Sequence, residues 1–301
     1  IKPDIVIHTT GPFQNQSYAV VEACIHEGCH YIDLADARHF VAGISRYDQQ
    51  AKDKNILVVS GASSVPCLTA AVIDYYRPSF KTLDKVEYGI SAAQHTNRGL
   101  ATTSAVLSYV GKTFTTLIDG RQQPVYGWQD LHAEKYPQLG WRLFGNCDIA
   151  DLELFPARYP ELKTIRFSAG QEISFLHLAL WLLSWFIRFG LISSLNRLAP
   201  YLLKLSFLFD FFGTGRSGFH MFLSGTDKDG KFRAKKFYII ARSGHGPNIP
   251  CMPAILLAQD LASETPPQTG ARPCLDLINL ERYSTALSGL DISIIKDDPN
   301  A

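Results

Sequence analysis

The chain has 301 residues, of which 46% are apolar, and a formal net charge of +1 at pH 7. That length suits one large domain or two linked ones, and that apolar fraction excludes a disordered chain. The balanced charge excludes a dominant nucleic-acid surface, which needs concentrated Lys and Arg to displace counterions from phosphates; the basic cluster at residues 228–236 straddles a turn signal and reads as a solvated hairpin.

The opening part alternates between two periodicities. Residues 4–9 are a short apolar run ending at Gly11-Pro12, which predicts a buried strand and its turn. Ser17 is placed to cap a helix whose apolar positions Val20, Val21, Cys24 and Ile25 recur at helical spacing, and Gly28 ends it. The next elements are a strand over 30–34, a helix over 41–54, a strand over 56–60, a loop over 61–66 and a helix over 68–76. Alternating strands and helices with short connections mean parallel strands joined by right-handed crossovers. Gly11 and Gly61 are then expected on one common edge of the sheet.

From Lys85 the pattern changes. Residues 86–90 read as a strand, 102–110 as a helix and 114–125 as a hairpin around Asp119-Gly120. Residues 164–167 are a further strand, and 219–223 with 232–241 flank Asp229-Gly230 as a second hairpin. This region predicts a mixed or antiparallel sheet, hence a second domain. After Gly244 come a Pro-rich loop, a helix over 254–262, a Pro-Pro-Gln-Thr-Gly loop, the segment 275–279 and a final helix over 280–287.

Residues 173–212 are dense in Leu, Phe and Trp, with charges only at Arg188, Arg197, Lys204 and Asp210. The uncharged run before Arg188 is shorter than the roughly 20 residues a membrane-spanning helix needs, and Gly190 and Pro200 interrupt the rest of the segment. A membrane-spanning hairpin is therefore the least favoured of three readings; the others are a pair of buried or interface helices, or an apolar patch at the surface for a lipid substrate, a membrane surface or a dimer partner.

Six cysteines, Cys24, Cys29, Cys67, Cys147, Cys251 and Cys274, lack the close-spaced pairs that zinc requires and read as buried free thiols in a reducing compartment; no metal is expected. No nucleophile-elbow or zinc-protease motif supports a hydrolase. The strand ending in His8-Thr-Thr10-Gly-Pro-Phe13 carries the strongest local signal. It brings backbone to the carboxyl edge of a parallel sheet, where open α/β folds bind ligands. An ordinary strand-to-loop exit is the structural alternative.

Taken in order, Gly11-Pro-Phe13, Val21-Glu-Ala-Cys24, Gly28-Cys-His-Tyr-Ile-Asp33, Ala51 and residues 61–66 resemble the saccharopine dehydrogenase-like family. The resemblance is weaker over residues 98–104 and 244–290. It implies an α/β fold class: an incomplete Rossmann-like parallel sheet with an inserted mixed α/β (α+β) second domain. The implied domains are 1–80, a dinucleotide-binding domain; 81–243, an inserted substrate and dimerisation domain; and 244–301, a return to the first domain. It further implies NADP or NAD as cofactor, hydride transfer to a small-molecule or lipid-linked substrate, and a cytoplasmic protein, with a homodimer and peripheral membrane contact as further expectations. A non-catalytic Rossmann-like protein on lipid surfaces is the alternative from another class.

The residues implied at the cofactor are Thr10, Gly11, Pro12, Phe13, Asp33, Asp36 and Gly61. Those implied at the substrate are Arg98, Thr102, Thr103 and Ser104, where a hydroxyl-rich helix start can hold an anion or carbonyl oxygen, or simply cap the helix. His95, Tyr126 and His245 are the candidate proton donors. Two departures from the family pattern stand out. No glycine-rich turn precedes the first strand, so the first Rossmann segment is expected upstream of Ile1. A Gly-Glu pair that relatives carry after the Tyr-x-Asp block is replaced by Leu34-Ala-Asp36-Ala37.

Overall fold

The computed structural model describes residues 2–263 and 267–298, so Ile1 and the first proline of the 266–270 loop lie outside the described residues. In chain order the strands are β1 (Ile5–His8), β2 (His30–Asp33), β3 (Leu57–Ser60), β4 (Thr82–Ala92), β5 (Thr113–Ile118), β6 (Arg121–Tyr126) and β7 (His132–Tyr136). They continue with β8 (Gly140–Asn146), β9 (Thr164–Gln171), β10 (Ser217–Thr226), β11 (Phe232–Ala241), β12 (Gly270–Pro273) and β13 (Ile292–Lys296). The chain forms two compact units: Ile1–Tyr75 with Ile149–Leu154 and Asn248–Leu287, and Tyr76–Asp148 with Phe155–Pro247 and Ser288–Ala301.

The first unit holds a sheet in the order β1-β2-β3-β12. All its pairings are parallel. β2 and β3 are central and almost wholly buried, which is why they read as unbroken apolar runs rather than as alternating ones. The helix Ala19–Glu27 returns the chain from β1 to β2 and ends at Gly28 in the left-handed conformation. Its N-cap is Tyr18 with no side-chain cap, so Ser17 does not play the capping role expected of it.

The expected helix over 41–54 is divided into Arg38–Gly43, a 3-10 turn Ile44–Tyr47 and Asp48–Asp53. This bend keeps Val41, Ile44, Tyr47 and Ala51 all buried against the sheet. β12 completes the sheet beside β3, and the helix Leu280–Ala286, capped by Asn279, comes after it.

The second unit holds a mixed sheet in the order β13-β11-β10-β4-β9-β8-β7, with β5 and β6 as a separate hairpin. Only β4 and β9 run parallel; β10 pairs antiparallel with both β4 and β11, and β13 antiparallel with β11. The helix Leu100–Tyr109 follows β4, and Ser174–Arg188 follows β9. The expected return of the whole 244–301 segment to the first domain differs from the observed division, because residues 244–247 and the part from Ser288 onward belong to the second unit. Ile292–Lys296 finds backbone partners on the open edge of β11, which leaves that edge paired. All six cysteines are free; Cys251 alone is exposed, against the expectation that every one is buried.

Candidate functional site

In the first unit the carboxyl ends of the parallel strands align. His8 lies opposite Asp33, and Ser60 opposite Pro273. Beyond this row the chain leaves β1 through Thr9-Thr10-Gly11-Pro12 and leaves β3 through Gly61-Ala62-Ser63-Ser64, so Gly11 and Gly61 stand on the same edge. Both loops contain a cis X-Pro bond, Gly11-Pro12 and Val65-Pro66.

Asp33 ties this edge together from inside. Its Oδ1 accepts hydrogen bonds from the Ala35 amide (2.9 Å), the Ser60 hydroxyl (3.0 Å) and the Gly61 amide (2.8 Å). It is fully buried. Burial pushes its carboxyl up to about 6, and the bonds from Gly61, Ala35 and Ser60 pull in the opposite direction. Gly61 has φ +77°, and a Cβ there would stand 2.6 Å from Pro66 Cδ, so only glycine fits. Below the second loop the Thr69 hydroxyl donates to the buried Asp151 carboxylate at 2.6 Å.

Thr10 and Pro12 are exposed and Gly11 is half-buried. A Cβ on Gly11 would stand in ordinary contact with the Phe13 ring at 3.6 Å, so a side chain there meets no clash at its first carbon. Phe13 itself turns into the core, against Phe40 (5.2 Å between ring centres) and His8 (5.1 Å). Asp36 is half-buried, and its Oδ1 accepts from Gln14 Nε2 at 3.3 Å. The edge therefore presents an exposed Thr10, a half-buried Gly11 and a Gln14–Asp36 pair, over a floor fixed by Asp33 and Gly61. Hydroxyl, backbone and amide groups of this kind can hydrogen-bond a polar ligand. A glycine-rich turn leading into a helix, which would cradle a pyrophosphate, is not found among the described residues of this edge.

In the second unit the substrate candidates sit beside a polar cluster. Arg98 donates to the Gln94 carbonyl and to Asp210 Oδ1, each at 2.6 Å, and its guanidinium lies 4.6 Å from the centre of the Phe207 ring. The bond from Arg98 holds the Asp210 carboxyl below its usual range. Gln94 donates its side-chain amide to Asp210 as well (2.9 Å) and its backbone N–H to Glu172 Oε2 (2.8 Å). Glu172 also accepts from the Thr214 amide at 2.8 Å and lies 3.4 Å from Arg142. Thr102 is exposed and Ser104 half-buried, while the Thr103 hydroxyl donates back to Gly99 O at 3.0 Å.

The proton-donor candidates fall in two neighbourhoods of this unit. His95 Nε2 is 2.9 Å from the Asp210 carbonyl, and its backbone N–H donates to Thr214 O. Beside Thr214, Gly215 O accepts from Gly244 N, next to His245. His245 Nδ1 accepts from the Asp291 amide at 2.7 Å. The turn around residues 213–216 thus links His95 and His245. Tyr126 lies apart from them, under the Arg188 guanidinium at 4.0 Å from its ring centre.

Several members of these clusters carry no signal in the sequence. Ser60, Gln14, Gln94 and Glu172 show no informative spacing, because their partners are distant in the chain. The hydroxyl-rich run Ser63-Ser64 after Gly61 is legible only as a loop.

No protein-family profile and no curated protein matches the sequence. Among solved structures, the chain is similar to an apo histidine-tagged saccharopine dehydrogenase (L-Glu forming) from Saccharomyces cerevisiae. Identity is 9%, 98% of this chain and 85% of that chain are covered, and the TM-score is 0.58. An amine dehydrogenase from Mycobacterium smegmatis matches at 11% identity over 56% of this chain and 59% of that one, with TM-score 0.31. A meso-dapdh mutant from Clostridium tetani E88 matches at 11% identity over 95% and 78%, with TM-score 0.38. The fold is saccharopine dehydrogenase-like: a parallel Rossmann-type sheet accompanied by a mixed sheet.

Proposed function

We propose that this protein is an oxidoreductase that transfers a hydride between NADP or NAD and an organic substrate. The observation that carries the reading is the carboxyl edge of the parallel sheet, where the half-buried Gly11 stands at the exit of β1 and the buried Gly61 is fixed by its bond to Asp33. Its setting in a saccharopine dehydrogenase-like fold supports the same reading. The bound nicotinamide supplies the hydride chemistry. Thr10, Gly11 and Pro12 contact it, with Asp36 and Gln14 beside them, and Asp33, Phe13 and Gly61 hold the edge in place. Arg98, Thr102, Thr103 and Ser104 are the substrate contacts in this reading. His95 and His245 are the proton donors to the charge that hydride addition leaves on the substrate, with Tyr126 the third candidate.

The substrate is hydrophobic or lipid-linked rather than a free amino acid. The exposed phenylalanines and leucines of residues 175–212 support that choice. The test is consumption of reduced nicotinamide, monitored by its absorbance, against two panels: amino-acid-derived imines, and conjugated double bonds in lipid-linked compounds presented in vesicles. Turnover with the second panel and loss of turnover in Gly11→Leu are expected. Turnover confined to the imines would overturn the lipid choice, and no cofactor consumption with either panel would overturn the enzyme reading.

A further inference from the structure

The helix Ser174–Arg188 is apolar on both faces. It buries His177, Ser184 and Ile187 and packs Leu180, Trp181 and Leu183 on the core, yet it also exposes Phe175, Leu178, Leu182 and Phe186, which recur at helical spacing along one stripe. Phe189 extends the stripe at 69% exposure. The helix Ala199–Phe207 repeats the pattern with Leu198, Tyr201, Leu205 and Leu208 exposed at intervals of three and four. The turn after it carries Phe211, 91% exposed.

The Phe175 ring lies 5.1 Å from Phe209 and 6.3 Å from Phe212, so the first stripe adjoins the turn that follows the second helix. Leaving apolar surface of this extent in water is unfavourable in proportion to its area. Among the described residues no helix is long and apolar enough to cross a membrane, so the face lies against its partner rather than passing through it.

Charge selects the partner. From residue 173 to residue 209 the sequence has no Asp or Glu, and it has Arg188, Arg197 and Lys204. Arg197 and Lys204 are exposed and make no ion pair among the described residues. Asp210, the first acid after them, is bound to Arg98. A second copy of this chain would bring the same cations to the same face, which repels. An anionic bilayer surface supplies both an apolar layer for the phenylalanines and negative headgroups for the rim.

We infer that the face formed by Ser174–Arg188, Ala199–Phe207 and Phe211 is a monotopic docking surface for anionic lipid bilayers. Arg197 and Lys204 meet the headgroups, and Leu208 and Phe211 enter the acyl boundary. The inference is independent of cofactor binding.

The test is co-sedimentation with vesicles of phosphatidylcholine alone and of phosphatidylcholine with about one-third phosphatidylserine, with no nucleotide present. The protein, Leu208→Glu/Phe211→Glu and Arg197→Gln/Lys204→Gln are compared, each checked for its unfolding midpoint and its oligomeric state. These positions are exposed, so folding is expected to survive. The unaltered protein is expected to bind the phosphatidylserine vesicles. The apolar pair of substitutions should lower that partition at least tenfold, and loss of the two cations should lower it roughly fivefold per charge while leaving any binding to phosphatidylcholine unchanged. Failure of the unaltered protein to bind, or equal binding by Leu208→Glu/Phe211→Glu, would overturn the inference. So would a dimer that the same pair of substitutions dissociates while no form binds vesicles.

Discussion

The Gly61 amide donates to the Asp33 carboxylate across 2.8 Å. That bond ties the end of one buried parallel strand to the loop leaving its neighbour, and it does so at a glycine whose positive φ no other residue adopts without strain. Local backbone geometry and a buried charge thus depend on each other at the edge proposed to hold the cofactor.

The first consequence is a pH dependence of stability. Asp33 has its carboxyl raised to about 6, from an ordinary value of 3.8, chiefly by burial. Because the folded state holds the proton more tightly than the unfolded state, the stabilisation is fully present below about pH 4. It is lost as pH rises through about 6. The whole effect is about 3 kcal/mol by linkage. Denaturant titrations between these limits should show the unaltered protein losing that amount relative to Asp33→Asn, in which the position cannot ionise. Parallel curves for the two proteins would remove Asp33 as the titrating group.

Gly61→Ala should destabilise the protein by about 3 kcal/mol, combining the left-handed backbone penalty with the contact at Pro66. Chemical denaturation measures it. A cost near that of an ordinary exposed Gly→Ala change would mean that the loop after β3 can relax, and that the edge is less rigid than the Asp33 network implies.

Which of these features the sequence reveals depends on what each residue contacts. β2 and β3 are legible because a central parallel strand covered on both sides is largely apolar, whereas β1, expected to be buried, is found as a strand at the sheet edge, with Ile7 exposed and no residue fully buried. β12 is not legible, since Gly270-Ala-Arg-Pro273 has no apolar run and its partner β3 is more than two hundred residues away in the chain. β7, with its polar His-Ala-Glu-Lys-Tyr sequence, lies at the edge of its sheet and shows no buried period. At the site, Gly11 and Gly61 announce the edge. That Asp33 faces inward to amides, and that Phe13 packs into the core, depends on tertiary neighbours that no spacing encodes.

The Arg98–Asp210 pair illustrates the same limit and yields a third expectation. The two residues are 112 positions apart, and the sequence alone marks Arg98 only as a substrate contact. In the fold it also pins the turn at Asp210–Phe212. Arg98→Ala should cost about 1 kcal/mol, a modest figure because both side chains are partly exposed. It should also speed limited proteolysis within residues 207–216. Unchanged cleavage there would show that Gln94 alone holds the turn.

The most direct measurement of the central claim is a fluorescence titration of the protein with NADPH and with NADH, alongside Gly11→Leu. A Cβ at Gly11 meets nothing nearer than the Phe13 ring at 3.6 Å, so the variant is expected to fold, and its unfolding midpoint is measured beside that of the unaltered protein. Saturable binding of at least one reduced nucleotide is expected, weakened tenfold or more in Gly11→Leu, which corresponds to about 1.4 kcal/mol. Absence of saturable binding, or equal affinity in a correctly folded Gly11→Leu, would contradict a nicotinamide site at this edge.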